Sequence, residues 1–217
     1  MLKIQIIDNF LSDPFKFRKW GLNTTRVVDS IRYRYPGDRF TVNNDVRESI
    51  VNIIKKHGNI DITPTDRVFF DFVNGSYGQG IPHADLALAK FTFILFLNPN
   101  PPPKSGLEIF DTWERYVYRK SLDKSVNLID YGVDVKGKFL VSSRNRLDRY
   151  FYKRFIKKVV DDQDNRIEIS NKFNRMVIFP SNMIHRAQNY FGKEKKDSRN
   201  ICIAFVGKPE EHNRKYQ

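Results

Sequence analysis

Apolar positions in the first sixty residues recur at helical spacing, after a short extended stretch over residues 4–10. Ser12-Asp13-Pro14 is a helix-start signal, because a Ser or Asp side chain can cap a helix and proline suits its first turn. This first helix is expected to stop at Gly21. Four aliphatic residues spaced for one helix face predict a second helix over residues 45–57, with Gly58 as its natural end.

Apolar runs after residue 66 predict strands, separated by turns rich in glycine and proline. The runs cover residues 68–73, 90–97, 107–110, 175–180 and 200–206. The run at 90–97 is apolar almost throughout, which is typical of a strand covered on both faces. Helices at the N-terminus and strands afterwards favour a mainly β fold with flanking helices, either a sandwich or a jelly roll.

Composition narrows the class of protein. A chain of 217 residues fits a single domain over residues 1–217. The first residues lack the unbroken apolar stretch of a signal peptide, and no run approaches the roughly 18–20 apolar residues of a membrane span. The single cysteine, Cys202, excludes an internal disulfide and lies in an apolar strand, where a packed thiol is expected. We therefore expect a cytoplasmic protein without a membrane contact.

The net charge of +13 is unevenly spread. Residues 136–175 hold 12 lysines and arginines against 5 aspartates and glutamates, an excess of seven positive charges. Within the overlapping segment 111–170, residues 121–146 have no clear period, and a basic amphipathic helix is predicted over residues 149–160. Its basic and aromatic character suits a nucleic acid, and a solvated surface is the alternative. The segment is a candidate substrate lid, and residues 208–217 form a polar tail.

A histidine and an aspartate stand two residues apart just before an apolar strand. Side chains at this spacing on extended backbone point the same way, so His83 and Asp85 can share one metal ion. His185 has a similar setting, after another apolar strand and a Pro-Ser break. Two histidines and one carboxylate leave positions of an octahedral ion open, as an oxygen-activating ferrous site requires. A structural zinc site would instead be closed by four ligands.

Arg199 opens the last predicted strand. A guanidinium group there, facing into a barrel, can hold one end of a dicarboxylate through two hydrogen bonds. The alternative is an ordinary surface arginine in the charged stretch 193–199. The two other histidines, His57 and His212, have no partner spacing that suggests a metal, and both are predicted to be non-catalytic.

The order of an HxD motif, a distal histidine and an arginine that opens a strand resembles the 2-oxoglutarate/Fe(II)-dependent dioxygenases. It resembles in particular the prolyl 4-hydroxylase-like branch and its small phage and bacterial members. The flanking residues are similar as well: Tyr77, Phe96-Leu97-Asn98, residues 105–109, residues 174–180 and Tyr190-Phe191-Gly192. The similarity spans about residues 68–110 and 172–206, is looser near residues 8–14, and does not cover residues 111–170.

The resemblance implies a double-stranded β-helix (a cupin-like jelly roll) with Fe(II) bound by His83, Asp85 and His185. It implies that Arg199 pairs with the distal carboxylate of 2-oxoglutarate, with Tyr77 and Thr92 as weaker candidates to contact this co-substrate. The implied activity consumes O₂, releases succinate and CO₂, and can draw on ascorbate as reductant. Some halogenating members lack the acidic ligand that Asp85 provides, so hydroxylation is favoured.

The substrate stays open at this level. A peptide or protein side chain is suggested by the resemblance, a nucleic acid by the basic segment, and hydroxylation is not distinguished from demethylation. Two other classes also remain: a non-catalytic cupin-like module that keeps the triad for metal or ligand binding, and a basic nucleic-acid-binding protein in which the triad is accidental.

Overall fold

The computed structural model describes residues 4–25, 36–42, 44–58, 67–83, 85, 89–110, 131–133, 139–141, 157, 161, 166–181 and 183–207. Within these ranges the helices are α1 (Pro14–Asn23) and α2 (Asn44–Gly58). The strands are β1 (Gln5–Ile7), β2 (Asp38–Thr41), β3 (Arg67–Val73), β4 (Phe91–Phe96), β5 (Leu107–Phe110), β6 (Tyr131–Val133), β7 (Phe139–Val141), β8 (Arg166–Ile169), β9 (Met176–Pro180), β10 (Ile184–Ala187) and β11 (Arg199–Val206).

Helix α1 begins where its capping signal predicts, because the Asp13 carboxylate accepts a hydrogen bond of 3.0 Å from the backbone N–H of Lys16. The expected end at Gly21 is wrong, since the helix continues to Asn23. Gly21 is buried against Phe70, and a Cβ atom at this position would lie 2.6 Å from that ring. The glycine therefore permits close packing of α1 on the sheet and does not end the helix.

The strands predicted after residue 66 are confirmed within one or two residues, but other elements differ from expectation, among them β6, β7 and β8, which were not predicted. The opening strand ends at Ile7, and Phe10 is buried beyond it. Strand β2 was not predicted, because only Phe40 of its four residues is buried and so short a segment shows no period. Strand β10 was predicted only as a loop leading to His185, and it pairs along its whole length with β5.

The strands form two main sheets in which all pairings are antiparallel. The six-stranded sheet has the order β1-β9-β4-β11-β3-β2, and the three-stranded sheet has the order β10-β5-β8. A single bridge between His83 and His185 extends the smaller sheet at its β10 edge. Strands β6 and β7 pair with each other.

Strand β11 shows how the layers are built, because successive side chains of a strand point to opposite faces. Ile201, Ile203 and Phe205 lie in an apolar cluster that also contains Leu107, Ile109 and Ile169 of the smaller sheet. We call this side of the six-stranded sheet its inner face. Cys202, Ala204 and Val206 point to the opposite face and share a second cluster with Ile50 and Ile54 of α2. Both faces of β11 are thus covered, and all eight of its residues are buried.

The observed architecture confirms a mainly β fold with flanking helices. Cys202 is buried, and burial raises the pKa of its thiol, so the expected packed thiol is confirmed. The helix predicted over residues 149–160 and the tail 208–217 lie outside the described residues, apart from Lys157. Within the part of the chain that the structure describes, neither helix is long and apolar enough to cross a membrane.

Candidate metal centre

The structure brings together the three residues that the sequence nominates as metal ligands. One ligand atom each from His83, Asp85 and His185 lies within 4.8 Å of the other two. The Nε2 atom of His83 is 3.7 Å from Asp85 Oδ1, and the Nε2 atom of His185 is 3.3 Å from Asp85 Oδ2. Both Nε2 atoms therefore face one carboxylate, as they would around a shared cation.

The tautomer of each imidazole is set by the backbone two residues before it. Nδ1 of His83 lies 2.8 Å from the carbonyl oxygen of Ile81, and Nδ1 of His185 lies 3.0 Å from that of Met183. A carbonyl oxygen can only accept, so each Nδ1 carries a proton, and in a neutral imidazole the Nε2 atom then keeps the lone pair that a metal ion would take. Hydrogen bonds of this kind orient the histidine ligands of metal sites.

Backbone pairing holds the HxD segment against β10. His83 and His185 exchange two backbone hydrogen bonds of 3.0 and 2.8 Å. Gly80 donates to the carbonyl of Ala187, and a Cβ atom on Gly80 would come within 2.6 Å of that residue's nitrogen. Only glycine therefore allows the loop to approach β10 closely enough to align the two histidines. The N–H of Asp85 donates to Ser181 at 2.8 Å and fixes the third residue.

Asp85 is oriented by a short chain of hydroxyl groups. Thr92 donates a hydrogen bond of 3.1 Å to Asp85 Oδ2. Since that bond uses the Thr92 proton, the Ser181 hydroxyl donates to Thr92 across 2.9 Å. The Thr92 hydroxyl thus lies against the carboxylate, and the predicted contact of this residue with a co-substrate stays a prediction.

The charge state of the cluster suits metal binding at neutral pH. Burial raises the pKa of Asp85, but His185, His83 and the hydrogen bond from Thr92 outweigh burial and hold the pKa at about 2. Partial desolvation and the neighbouring His185 lower the pKa of His83, whose ring lies 4.4 Å from that of His185. An ionised carboxylate therefore faces a neutral His83 at pH 7, and both are in the form that ligates a cation.

The site has an open side and a closed side. The His83 side chain is 46 % exposed, whereas those of Asp85 and His185 are 7 % and 3 % exposed. The ring of Phe179 packs edge-on against His185 at 4.7 Å. Of the three candidate ligands, His83 is therefore the one that is most accessible to solvent.

Arg199 lies on the inner face at the start of β11 and is 3 % exposed. Its guanidinium carbon is 5.5 Å from the ring centre of Phe96 and 5.9 Å from that of Tyr190. Its Nε atom makes a long hydrogen bond of 3.4 Å to the carbonyl oxygen of Ser105. Among the described residues no carboxylate lies within 4 Å of Arg199, and desolvation lowers its pKa. The surface-arginine alternative is therefore wrong.

A buried ion pair that the sequence did not reveal lies on the same inner face. Arg39 of β2 donates to Asp71 of β3 through Nε at 2.7 Å and Nη2 at 2.5 Å. The Arg39 guanidinium also stacks over Phe69 and Phe205, at 5.0 and 5.9 Å. Phe205 pairs across the sheet with Thr92, which donates a hydrogen bond to Asp85. The ion pair therefore lies beside the three candidate metal ligands. The sequence alone does not distinguish Arg39 and Asp71 from the other charged residues of the chain.

Two tyrosines named in the sequence analysis, Tyr77 and Tyr190, have different surroundings in the structure. Tyr77 lies half-buried in a short 3₁₀ turn, Gly75–Tyr77, and none of its described contacts joins it to the three candidate ligands or to Arg199. Its contact with a co-substrate stays a prediction. Tyr190, which sequence reasoning noted only as part of a flanking motif, contacts Arg199.

Comparison with known proteins gives matches only at the level of structure. No protein-family model matches the sequence, and no curated protein is similar to it in sequence. A prolyl 4-hydroxylase from Phytophthora capsici superposes with a TM-score of 0.51 at 11 % identity, over 98 % of this chain and 61 % of that one. The chain thus spans about three fifths of that hydroxylase.

Two other solved structures are similar over more of their own length. HygX from Streptomyces hygroscopicus, solved with nickel and 2-oxoglutarate bound, gives a TM-score of 0.52 at 8 % identity over 94 % of this chain and 82 % of that one. The non-heme α-ketoglutarate-dependent epimerase SnoN from nogalamycin biosynthesis gives 0.51 at 8 %, over 94 % and 77 %. The chain therefore has the double-stranded β-helix fold of the 2-oxoglutarate/Fe(II) oxygenases, as expected.

Proposed function

We propose that this protein is an Fe(II)- and 2-oxoglutarate-dependent dioxygenase that hydroxylates its substrate. The observation that carries the proposal is the convergence of two imidazole Nε2 atoms on the ionised, buried carboxylate of Asp85. A set of two histidines and one carboxylate, with other coordination positions open, is the facial ligand set of non-heme Fe(II) oxygenases.

The donor set fits the metal for reasons that are independent of the fold. In their neutral forms His83 and His185 each present an Nε2 lone pair, because their Nδ1 protons are held by backbone carbonyls. Asp85 supplies one negative charge, and Thr92 keeps that carboxylate in position. Iron bound here together with 2-oxoglutarate and O₂ would supply the oxidising chemistry that inserts oxygen into a C–H bond.

Arg199 binds the carboxylate at the end of the co-substrate that does not bind the metal. It is a desolvated cation on the inner face, and the carboxylates of the described residues leave it unpaired. Its planar fork matches a carboxylate, and it would hold one end of the dicarboxylate through two hydrogen bonds while the metal binds the 2-oxo acid end. The phenyl ring of Phe96 covers the guanidinium group and excludes water from it.

The overall reaction balances as substrate C–H, 2-oxoglutarate and O₂ giving substrate C–OH, succinate and CO₂. Each residue contributes binding and orientation: two imidazoles and a carboxylate hold the metal, an arginine holds the co-substrate, and the open side at His83 admits the substrate. The fold alone leaves the reaction type open, because similar structures include an epimerase as well as a hydroxylase. The acidic ligand Asp85 favours hydroxylation over halogenation.

The test is an anaerobic titration of Fe(II) and 2-oxoglutarate into metal-free protein, followed by the weak visible charge-transfer band of the ternary complex. We expect a band that needs both components and is lost in His185→Ala, because that variant removes one of three ligands. His57→Ala is the matched control, since it also removes a histidine but from α2. It is expected to bind both components as the wild type does.

Absence of the band together with absence of Fe(II) binding to the wild type would contradict the proposal. Salt-sensitive binding of DNA or RNA that survives replacement of His83 and His185 would then favour the basic nucleic-acid-binding alternative. A band without any consumption of 2-oxoglutarate under O₂ would favour the non-catalytic cupin-like module.

A further inference from the structure

Arg18 on helix α1 is a partly buried cation without a carboxylate partner. Its Nη2 atom donates a hydrogen bond of 2.6 Å to the backbone carbonyl oxygen of Lys196, in the loop that leads into β11. Its Nε atom is shielded from solvent and has no hydrogen-bond acceptor. Among the described residues no carboxylate lies within 4 Å of this guanidinium group, and desolvation lowers its pKa. A desolvated cation of this kind is stabilised when an anion binds beside it.

The loop over residues 192–198 adds further positive charge beside Arg18. Its Lys193 and Lys196 side chains are both exposed. Lys196 pairs with Glu194 at 3.2 Å. The Asp197 carboxylate accepts hydrogen bonds of 3.3 and 2.7 Å from the backbone N–H groups of Lys193 and Glu194. Helix α1 and this loop together hold six lysines and arginines against these two acidic residues, an excess of four positive charges.

The exposed face of α1 carries an aromatic ring among these cations. Phe15, Arg18 and Lys19 lie on one face, because residues three and four apart are neighbours on a helix surface. Phe15 is 63 % exposed, more than any other large apolar side chain in the described part of the chain. Its ring lies against that of Phe173, with 4.7 Å between the centroids. We call residues 15–19 together with the loop 192–198 the α1 surface.

The opposite face of α1 is already packed, which narrows the kind of partner. Phe17 and Trp20 contact the ring of Phe70, and Gly21 lies against the same ring. A helix that binds a lipid surface uses its apolar face, and here that face is buried. An acidic peptide would pair with the cations but leave Phe15 without a stacking partner. A nucleic acid strand supplies both phosphates for the cations and flat bases for the ring.

We propose that the α1 surface binds single-stranded nucleic acid. Phosphate groups pair with Arg18, Lys19 and Lys193, and one base stacks on Phe15. The α1 surface lies on the side of the six-stranded sheet that α1 covers, whereas Thr92, which holds Asp85, lies on the inner face. It is therefore a docking surface apart from the candidate metal centre, and the inference does not depend on the proposed reaction.

The phosphate contacts are tested with the whole chain and a fluorescein-labelled single-stranded oligo(dT), by fluorescence anisotropy over a range of salt concentrations. Arg18→Gln should lower the affinity about fivefold and reduce the slope of log affinity against log salt by about 0.7, as for one lost phosphate contact. Lys19→Gln should lower the affinity about threefold. Lys19 is exposed and its side chain makes no described contact, so its replacement tests the surface without disturbing the packing of α1.

Lys90→Gln is the matched control, because it removes the same charge from an exposed site at the far end of β11. The Lys90 N–H donates to the carbonyl of Val206, and the eight residues of β11 place this site roughly 20 Å from the loop 192–198. Its affinity for oligo(dT) should change less than about twofold. A loss as large as that of Arg18→Gln would show that binding follows the net charge of the chain and would overturn the proposal.

Phe15→Leu tests the stacking contact, because it keeps an apolar group and removes the flat ring. Its affinity for oligo(dT) should fall about fivefold. Its affinity for a strand of the same length without bases should match that of the wild type. An equal loss for both strands, or a loss for neither, overturns the role of Phe15 and with it the choice of nucleic acid as partner.

Vesicles of phosphatidylcholine and phosphatidylserine distinguish a lipid surface from nucleic acid as the partner. We expect the wild type to bind oligo(dT) more tightly than these vesicles. Binding to the vesicles without binding to oligo(dT) overturns the proposal in favour of a membrane surface. The titration with Fe(II) and 2-oxoglutarate reports on the metal centre separately, so failure to bind oligo(dT) leaves the proposed function intact.

Discussion

Two arginines on the inner face of the six-stranded sheet, Arg199 buried and Arg39 partly buried, have opposite surroundings. Arg39 on β2 makes two hydrogen bonds to the Asp71 carboxylate, at 2.7 and 2.5 Å. Arg199 on β11 has two aromatic rings and one carbonyl oxygen at 3.4 Å. Both guanidinium groups are largely removed from water, but only Arg39 has a carboxylate partner among the described residues.

The difference distinguishes an arginine that stabilises the fold, Arg39, from one that is expected to bind a ligand, Arg199. Removing a cation from water costs several kcal/mol unless an anion compensates for it. Arg39 and Asp71 compensate each other, and the pair joins β2 to β3 beside the metal cluster. Arg199 carries a similar cost, and the Asp71 carboxylate attracts it only from beyond 4 Å, which is expected of a residue whose close partner arrives with a dicarboxylate.

The largest expected effect comes from breaking the paired arginine. Arg39→Leu leaves the Asp71 carboxylate buried without a partner, so we expect the free energy of unfolding to fall by about 3 kcal/mol. Urea denaturation measures this loss. In the double variant Arg39→Leu/Asp71→Leu neither charge of the pair remains, and most of the stability should return. A double variant no more stable than Arg39→Leu would contradict the assignment of a compensated pair.

The next effect comes from the unpaired arginine and appears in binding. Arg199→Leu removes a desolvated charge, so the free energy of unfolding of the ligand-free protein should stay within about 1 kcal/mol of the wild type or rise. Affinity for 2-oxoglutarate should fall on the order of 100-fold, because a two-pronged, charge-assisted contact is lost. Denaturation and the anaerobic titration are run on the same variant. A loss of stability as large as that of Arg39→Leu would show that Arg199, like Arg39, mainly stabilises the fold.

The smallest effect comes from replacing each arginine by lysine. The charge stays but the planar fork is lost, so Arg199→Lys should weaken 2-oxoglutarate about tenfold without affecting unfolding. Arg39→Lys should instead cost roughly 1 kcal/mol of stability and leave the affinity for 2-oxoglutarate unchanged. The same two measurements are compared between the two variants. A crossed result, with affinity lost in Arg39→Lys, would show that the Arg39–Asp71 pair belongs to the binding site.

The sequence was most informative where the relevant signal is local. The capping residue Asp13 and the apolar periods of α2, β3 and β4 predicted those elements, because side chains close in the chain decide them. The spacing of His83 and Asp85 likewise predicted that they can share a metal ion, because side chains two residues apart on extended backbone point the same way. Gly21 was misread because the same residue serves as a helix end and as a place for close packing, and only its contact with Phe70 distinguishes the two.

By itself, the sequence determined the strand-rich class, the HxD pair, the distal histidine and the arginine that opens the last strand. Only the tertiary structure decided that His83 and His185 form a bridge, that Arg39 reaches Asp71, and that Tyr190 contacts Arg199. These contacts join residues far apart in the chain through the register of antiparallel strands. Register depends on how whole sheets bury their apolar faces, and a shift of one residue would turn every one of these side chains to the other face.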